Sequence, residues 1–173
     1  MKFNKIIPIV FSVLFLMSFG TPKSLDKKVD KEVKDVFEIT SYTFGNVQVS
    51  SDVNSKLPSE ITEENFFQIK NKGTVLGYVY LDKAPSKTAQ FDYLVIFDKD
   101  LKIARTKVLV YREEYGGEIG SRRWLSQFTG KSNKDSLDDI AAISGATISV
   151  RSMKNAMNDI LKSVSILHNK NII

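Results

Sequence analysis

Ser144-Gly145-Ala146-Thr147-Ile148-Ser149 is the stretch on which the reading of this chain turns, because a long amphipathic run begins where it ends. Val150, Met153, Ala156, Met157, Ile160, Leu161, Val164 and Leu167 step by three and four, which predicts one apolar helix face of about five turns. Small residues therefore deliver two hydroxyls, those of Thr147 and Ser149, to a helix start. Backbone N–H groups lack partners there and the dipole favours anions, phosphate above all. Gly145 and Ala146 leave room for a bulky group beside the backbone. Two readings follow from these residues alone: an ordinary helix capped by Thr147 or Ser149, or a seat for a phosphate-bearing ligand.

Working outward, the middle of the chain reads as strands. Phe66 to Ile69 leads into the turn signal Asn71-Lys72-Gly73, and Thr74 to Leu81 follows, rich in β-branched and aromatic residues. A loop is expected over Lys83 to Lys87, then strands over Phe91 to Phe97 and Lys102 to Tyr111 joined by a turn at Asp98-Lys99-Asp100. Short connections of this kind make an antiparallel meander, half buried against helices. Leu25, Val29, Val33, Val36 and Phe37 form one stripe of an N-terminal helix, with Ser24, Asp26 and Asp30 suited to its start. Ser41 to Pro58 reads as a short strand with irregular connections, and Ser121 to Phe128 as a short helix. The fold class is α+β: a small antiparallel sheet packed with an N-terminal helix and a long C-terminal helix.

Composition removes most chemistry. The 173 residues contain no cysteine, which excludes disulfides, thiolate metal sites, iron–sulfur clusters and a cysteine nucleophile. The one histidine, His168, cannot furnish a histidine metal cluster, and neither a metal site nor a set of catalytic residues is expected. Lys2 and Lys5 precede an apolar run from Ile6 to Phe19, with Ser18 and Gly20 as small residues before a cut ahead of Thr21. Residues 1–20 are expected to be a signal peptide or N-terminal anchor, and 21–173 a single domain on the far side of the cytoplasmic membrane. Without the two leader lysines the net charge falls from +5 to +3, with lysines scattered among acids, so no nucleic-acid groove is expected.

The run Ser144-Gly145-Ala146-Thr147, followed by Ile148-Ser149 and a long helix, resembles the flavinylation site of the FMN-binding domain family. That family includes the C-type subunit of sodium-pumping quinone reductases and the G-type subunit of Rnf complexes. Upstream, Tyr111-Arg112-Glu113-Glu114-Tyr115-Gly116-Gly117-Glu118-Ile119 is similar to the family's second signature, an acid leading into a glycine-bearing loop. The resemblance covers about Phe66 to Leu167. It implies FMN as cofactor, joined by its phosphate to the Thr147 hydroxyl by a flavin transferase. It also implies redox partner proteins, in the family's case those of a membrane respiratory complex.

Cofactor contacts are expected from Ser144, Gly145, Ala146, Thr147 and Ser149 in one stretch and from Glu113, Tyr115, Gly116 and Gly117 in the other. Glu113 either hydrogen-bonds the ring or holds its own loop. Tyr115 and Trp124 offer aromatic faces, although Trp124 on a helix face reads first as core, as do Met153 and Met157. Arg122 and Arg123 read as phosphate or partner contacts, or simply as solvated charge. Ala141 departs from the pattern, standing where the family usually carries an aspartate six residues before the acceptor threonine. The function expected is that of an extracytoplasmic electron-transfer flavoprotein rather than a stand-alone enzyme. The alternatives are a flavin-free envelope module of the same fold and a noncovalent FMN reductase, the latter without a G-x-G-x-x-G fingerprint for a nicotinamide donor.

Overall fold

The structure is a computed structural model in which residues 23–173 are described; the leader expected over residues 1–20 lies outside them. Five strands, β1 (Thr43–Asn46), β2 (Phe66–Asn71), β3 (Thr74–Pro85), β4 (Gln90–Asp98) and β5 (Ile103–Val110), form one antiparallel sheet in chain order. Helix α1 (Lys23–Phe37) precedes them, and the short α2 (Ser51–Asn54) lies between β1 and β2. A 3-10 turn, Gly117–Gly120, the short α3 (Arg122–Leu125) and the long α4 (Thr147–Asn169) follow. The fold is α+β, as the sequence predicts. No helix among the described residues is long and apolar enough to cross a membrane.

The sheet is buried on both faces, and β4 shows why its sequence is almost unbroken apolar. Phe91, Tyr93, Val95 and Phe97 face α4, together with Met153, Met157, Ile160, Leu161 and Val164. Leu94 and Ile96 face the other way, against Val29 and Val33 of α1 and Phe67, Ile69 and Val79. A strand covered on both sides loses the polar alternation of a half-exposed one. Gly77 in β3 has its own reason: a Cβ there would lie 2.0 Å from the Phe97 carbonyl oxygen and 2.9 Å from the Phe37 ring. The end of α1 thus packs where the strand has no side chain.

Ionic contacts tie α1 to β5. Glu32 is buried and meets Arg105 at 2.8 Å and Lys107 at 3.4 Å, while Lys28 Nζ donates to the Leu109 carbonyl at 2.5 Å. Removing the carboxylate with Glu32→Ala leaves two partly exposed cations that water can reach. We expect a loss of about 1–2 kcal/mol, read as a shifted midpoint in urea unfolding at unchanged slope.

Three local expectations are corrected. The loop expected over Lys83 to Lys87 is strand as far as Pro85, which pairs with Gln90; the turn proper is closed by Ser86 N–H to the Ala89 carbonyl at 2.8 Å. Proline is admissible at a strand's end, where its missing donor costs no ladder bond. The turn after β4 runs on to Lys102, because the Asp98 carboxylate accepts from the N–H groups of both Asp100 and Lys102, each at 2.9 Å. The helix expected over Ser121 to Phe128 is divided into α3 and a 3-10 turn, Ser126–Phe128. Ser121 caps it by accepting from Trp124 N–H at 3.3 Å.

Candidate functional site

The site forms where two stretches about thirty residues apart in sequence meet beside the end of β5. Helix α4 begins at Thr147, whose N-cap is Ala146 with no side-chain cap, and its first turn carries no acidic residue. The first backbone donors of a 23-residue helix are therefore left without an internal partner. Thr147 is exposed at that end, while Ala146 beneath it is buried. Neither Thr147 nor Ser149 acts as the cap, so the ordinary capping expectation is not what this helix start shows.

The glycine turn closes onto the same point. Gly116 has φ +82°, and a Cβ on it would stand 2.9 Å from the Tyr111 hydroxyl oxygen and 3.1 Å from the Ala146 Cβ. The Tyr111 hydroxyl reaches the Tyr115 carbonyl at 3.0 Å and the Ser149 hydroxyl at 3.2 Å. A phenol has one proton; with it directed to the carbonyl, Ser149 is the donor in the second contact. Gly117 and Gly145 are exposed, and a Cβ on either would meet nothing within 4 Å.

Of the residues expected at the site, Ser144, Gly145, Thr147, Tyr115 and Gly117 are exposed there, and Gly116 and Ala146 form the contact between the two stretches. Ser149 is 3% exposed and already bonded to Tyr111, so its hydroxyl supports the site from behind. Tyr115 is 76% exposed and Ile148 50%, which makes them two of the three large hydrophobics that the described residues show to solvent. Ile148 was not among the expected contacts. Trp124 is core: it packs edge-on against Phe128 and donates Nε1–H to the Ala141 carbonyl at 2.7 Å. Met153 and Met157 are fully buried. Arg122 and Arg123 are exposed.

Glu113 holds its own loop. Its Oε1 accepts from Thr88 N–H at 2.7 Å and Ala89 N–H at 3.3 Å, which fastens the loop to the β3–β4 turn. The Ser86 hydroxyl, sharing its proton between the Ala89 carbonyl and this carboxylate, lowers the Glu113 pKa most, and the Thr88 and Ala89 amides lower it further. A depressed carboxyl pKa stabilises the folded loop at pH above its unfolded value of 4.5, and that contribution disappears as pH falls through the lower folded value. Amide exchange at Thr88 is accordingly expected to keep its protection, after correction for the intrinsic rate, from pH 7 to pH 5. Glu113→Gln should differ from the parent over that range and converge with it in stronger acid.

Beside the site a groove of about 440 Å³ runs between α3 and the approach to α4, lined by Glu118, Ser121, Arg123, Trp124, Gln127 and residues 141–143. Ala141 is fixed there through its backbone, accepting from Trp124 and donating to Gln127 Oε1 at 2.9 Å. Its side chain plays no part in those bonds.

Residues 87–162 match the FMN-binding domain model, a span that takes in β4, β5, the glycine turn, α3 and most of α4. Both stretches of the site fall inside it. The chain contains an FMN-binding domain, and FMN is its cofactor. Among solved structures, the chain is similar to the crystal structure of Shewanella oneidensis NqrC, at 20% identity and a TM-score of 0.45. That likeness covers 54% of this chain and 52% of the other, so the chain spans about half the length of the protein it matches. No curated protein matches it.

Proposed function

We propose that the protein is an electron carrier holding FMN through a phosphoester to the Thr147 hydroxyl, installed by a flavin transferase outside the cytoplasm. The observation that carries this reading is the start of α4: an exposed hydroxyl on an uncapped helix end with no acid in the first turn. The residues fit the group. A phosphate at Thr147 meets unpartnered N–H groups and the positive end of the helix dipole. The close contact between Gly116 and Ala146 keeps side chains out of its way. When bound, FMN supplies one- and two-electron transfer. The chain's own part is to tether it, shield it and leave it reachable by a donor and an acceptor.

Tyr115 in the glycine loop and Ile148 next to Thr147 in the chain offer exposed apolar surface, suited to cover a planar ring. The apolar leader read in the sequence supports export, and a covalent tether suits a compartment that holds no free cofactor to replace a lost one. On this reading the partners are redox proteins, such as those of a membrane respiratory complex. Intact-mass and peptide analysis of the chain co-expressed with its own transferase tests the proposal, through the mass of FMN less water on the peptide bearing Thr147. An unmodified Thr147 under those conditions overturns it. Yellow protein that loses its flavin to acid would instead mark noncovalent binding, the outcome the departure at Ala141 favours; colourless protein would mark a flavin-free module.

A further inference from the structure

We propose that Tyr111 is a positioning residue for this site: its phenol oxygen locks the glycine turn onto the first turn of α4 and so fixes the surroundings of the Thr147 hydroxyl. The proposal rests on the FMN reading of Thr147 for its consequence, and on geometry for its cause. Tyr111 is the first residue after β5, and its ring lies 6.1 Å from that of Phe91, a fully buried residue of β4. The oxygen it carries is thus referenced to the sheet. One proton goes to the Tyr115 carbonyl at 3.0 Å, and one lone pair receives the Ser149 hydroxyl at 3.2 Å. Sheet, turn and helix meet at a single atom.

Two further features give that atom leverage. Ser149 is 3% exposed, so water does not compete for its hydroxyl, and the contact is lost outright if the phenol is removed. Gly116 packs closely enough that a Cβ on it would crowd both the Tyr111 oxygen and the Ala146 Cβ. The loop is held a second time at Glu113, through the amides of Thr88 and Ala89. Backbone pinned on both sides presents the Tyr115 ring to solvent from a fixed carbonyl, instead of leaving a glycine-rich loop to wander. Ser149 thus stands behind the site, Glu113 holds the loop to the β3–β4 turn, and Tyr111 ties that loop to the helix.

The experiment uses the full chain with its transferase and compares Tyr111→Phe, which keeps the ring on Phe91, with Ser149→Ala and with the double variant. Each single variant is expected to slow flavin incorporation at Thr147 about tenfold, the size of effect one buried hydrogen bond supplies. Melting temperatures should fall by no more than about 2–4 °C, the shift that loss of one hydrogen bond of about 1 kcal/mol predicts in a fold that keeps its core. The double variant should be no slower than the slower single, since both groups act through one contact. Visible circular dichroism of the flavin should weaken in whatever fraction is loaded. Incorporation at the parental rate in Tyr111→Phe, additive losses, or a loss in proportion to lowered stability would each overturn the proposal.

Should Thr147 of the parent chain remain unmodified, the flavin reading fails separately, and the lock is judged in the unloaded protein. The Ile119 amide, bonded to the Gly116 carbonyl at 3.2 Å, reports opening of the turn. At unchanged global stability, exchange there about tenfold faster in Tyr111→Phe upholds the lock, and parental exchange sinks it.

Discussion

Thr147→Val is expected to abolish covalent flavin while leaving the protein folded. Valine matches threonine in shape and lacks only the hydroxyl, so nothing but the acceptor oxygen is taken away. Thr147 is exposed and makes no side-chain cap to α4, so the change in stability should fall within about 0.5 kcal/mol. Fluorescence of the denatured band after electrophoresis should fall from full to none. Ser149 does not substitute, because its hydroxyl is buried and engaged by Tyr111. A fluorescent Thr147→Val band would move the attachment elsewhere. The peptide then bearing the added mass would identify the true acceptor.

The second large effect is expected at Gly116. An alanine there adopts a backbone conformation that L side chains resist, at a cost of about 1–2 kcal/mol. Its Cβ also presses on the Tyr111 oxygen at 2.9 Å and the Ala146 Cβ at 3.1 Å. Together these predict a loss of about 2–3 kcal/mol, read as a fall of roughly 4–12 °C in melting temperature. Flavin incorporation should drop by at least about tenfold. The neighbours supply graded controls. Gly145→Ala shares the positive φ but meets nothing within 4 Å, so strain acts alone there; Gly117→Ala has neither and should behave like the parent. Equal behaviour of the three alanines would show that crowding at Gly116 is irrelevant.

Much of this was legible in the residues because it is periodic. The apolar steps from Val150 to Leu167 gave α4, and the runs around Thr74 to Leu81 and Phe91 to Phe97 gave the centre of the sheet. Helix α2 was missed, since Ser51–Asn54 is a single polar turn without a stripe. The bonds of Glu113 to the β3–β4 turn join residues more than twenty positions apart, and no spacing in the sequence announces them. The burial of Ser149 follows from the helix period. At about 100° per residue it sits nearly opposite Thr147 on the helix, one turn before Met153 on the apolar face. The same arithmetic turns Ile148 outward with Arg151, and the structure has both exposed.

The core also fixes an order of events. Val95, Phe97, Met153, Met157 and Ile160 close against one another without help from anything at Thr147, and of the acceptor stretch only Ala146 and Ser149 are buried. On the proposed reading, a carrier with this core would fold first and be charged afterwards, at a hydroxyl standing clear of the fold. A shortage of flavin would then leave idle but intact molecules, ready to be filled, instead of misfolded ones to be destroyed.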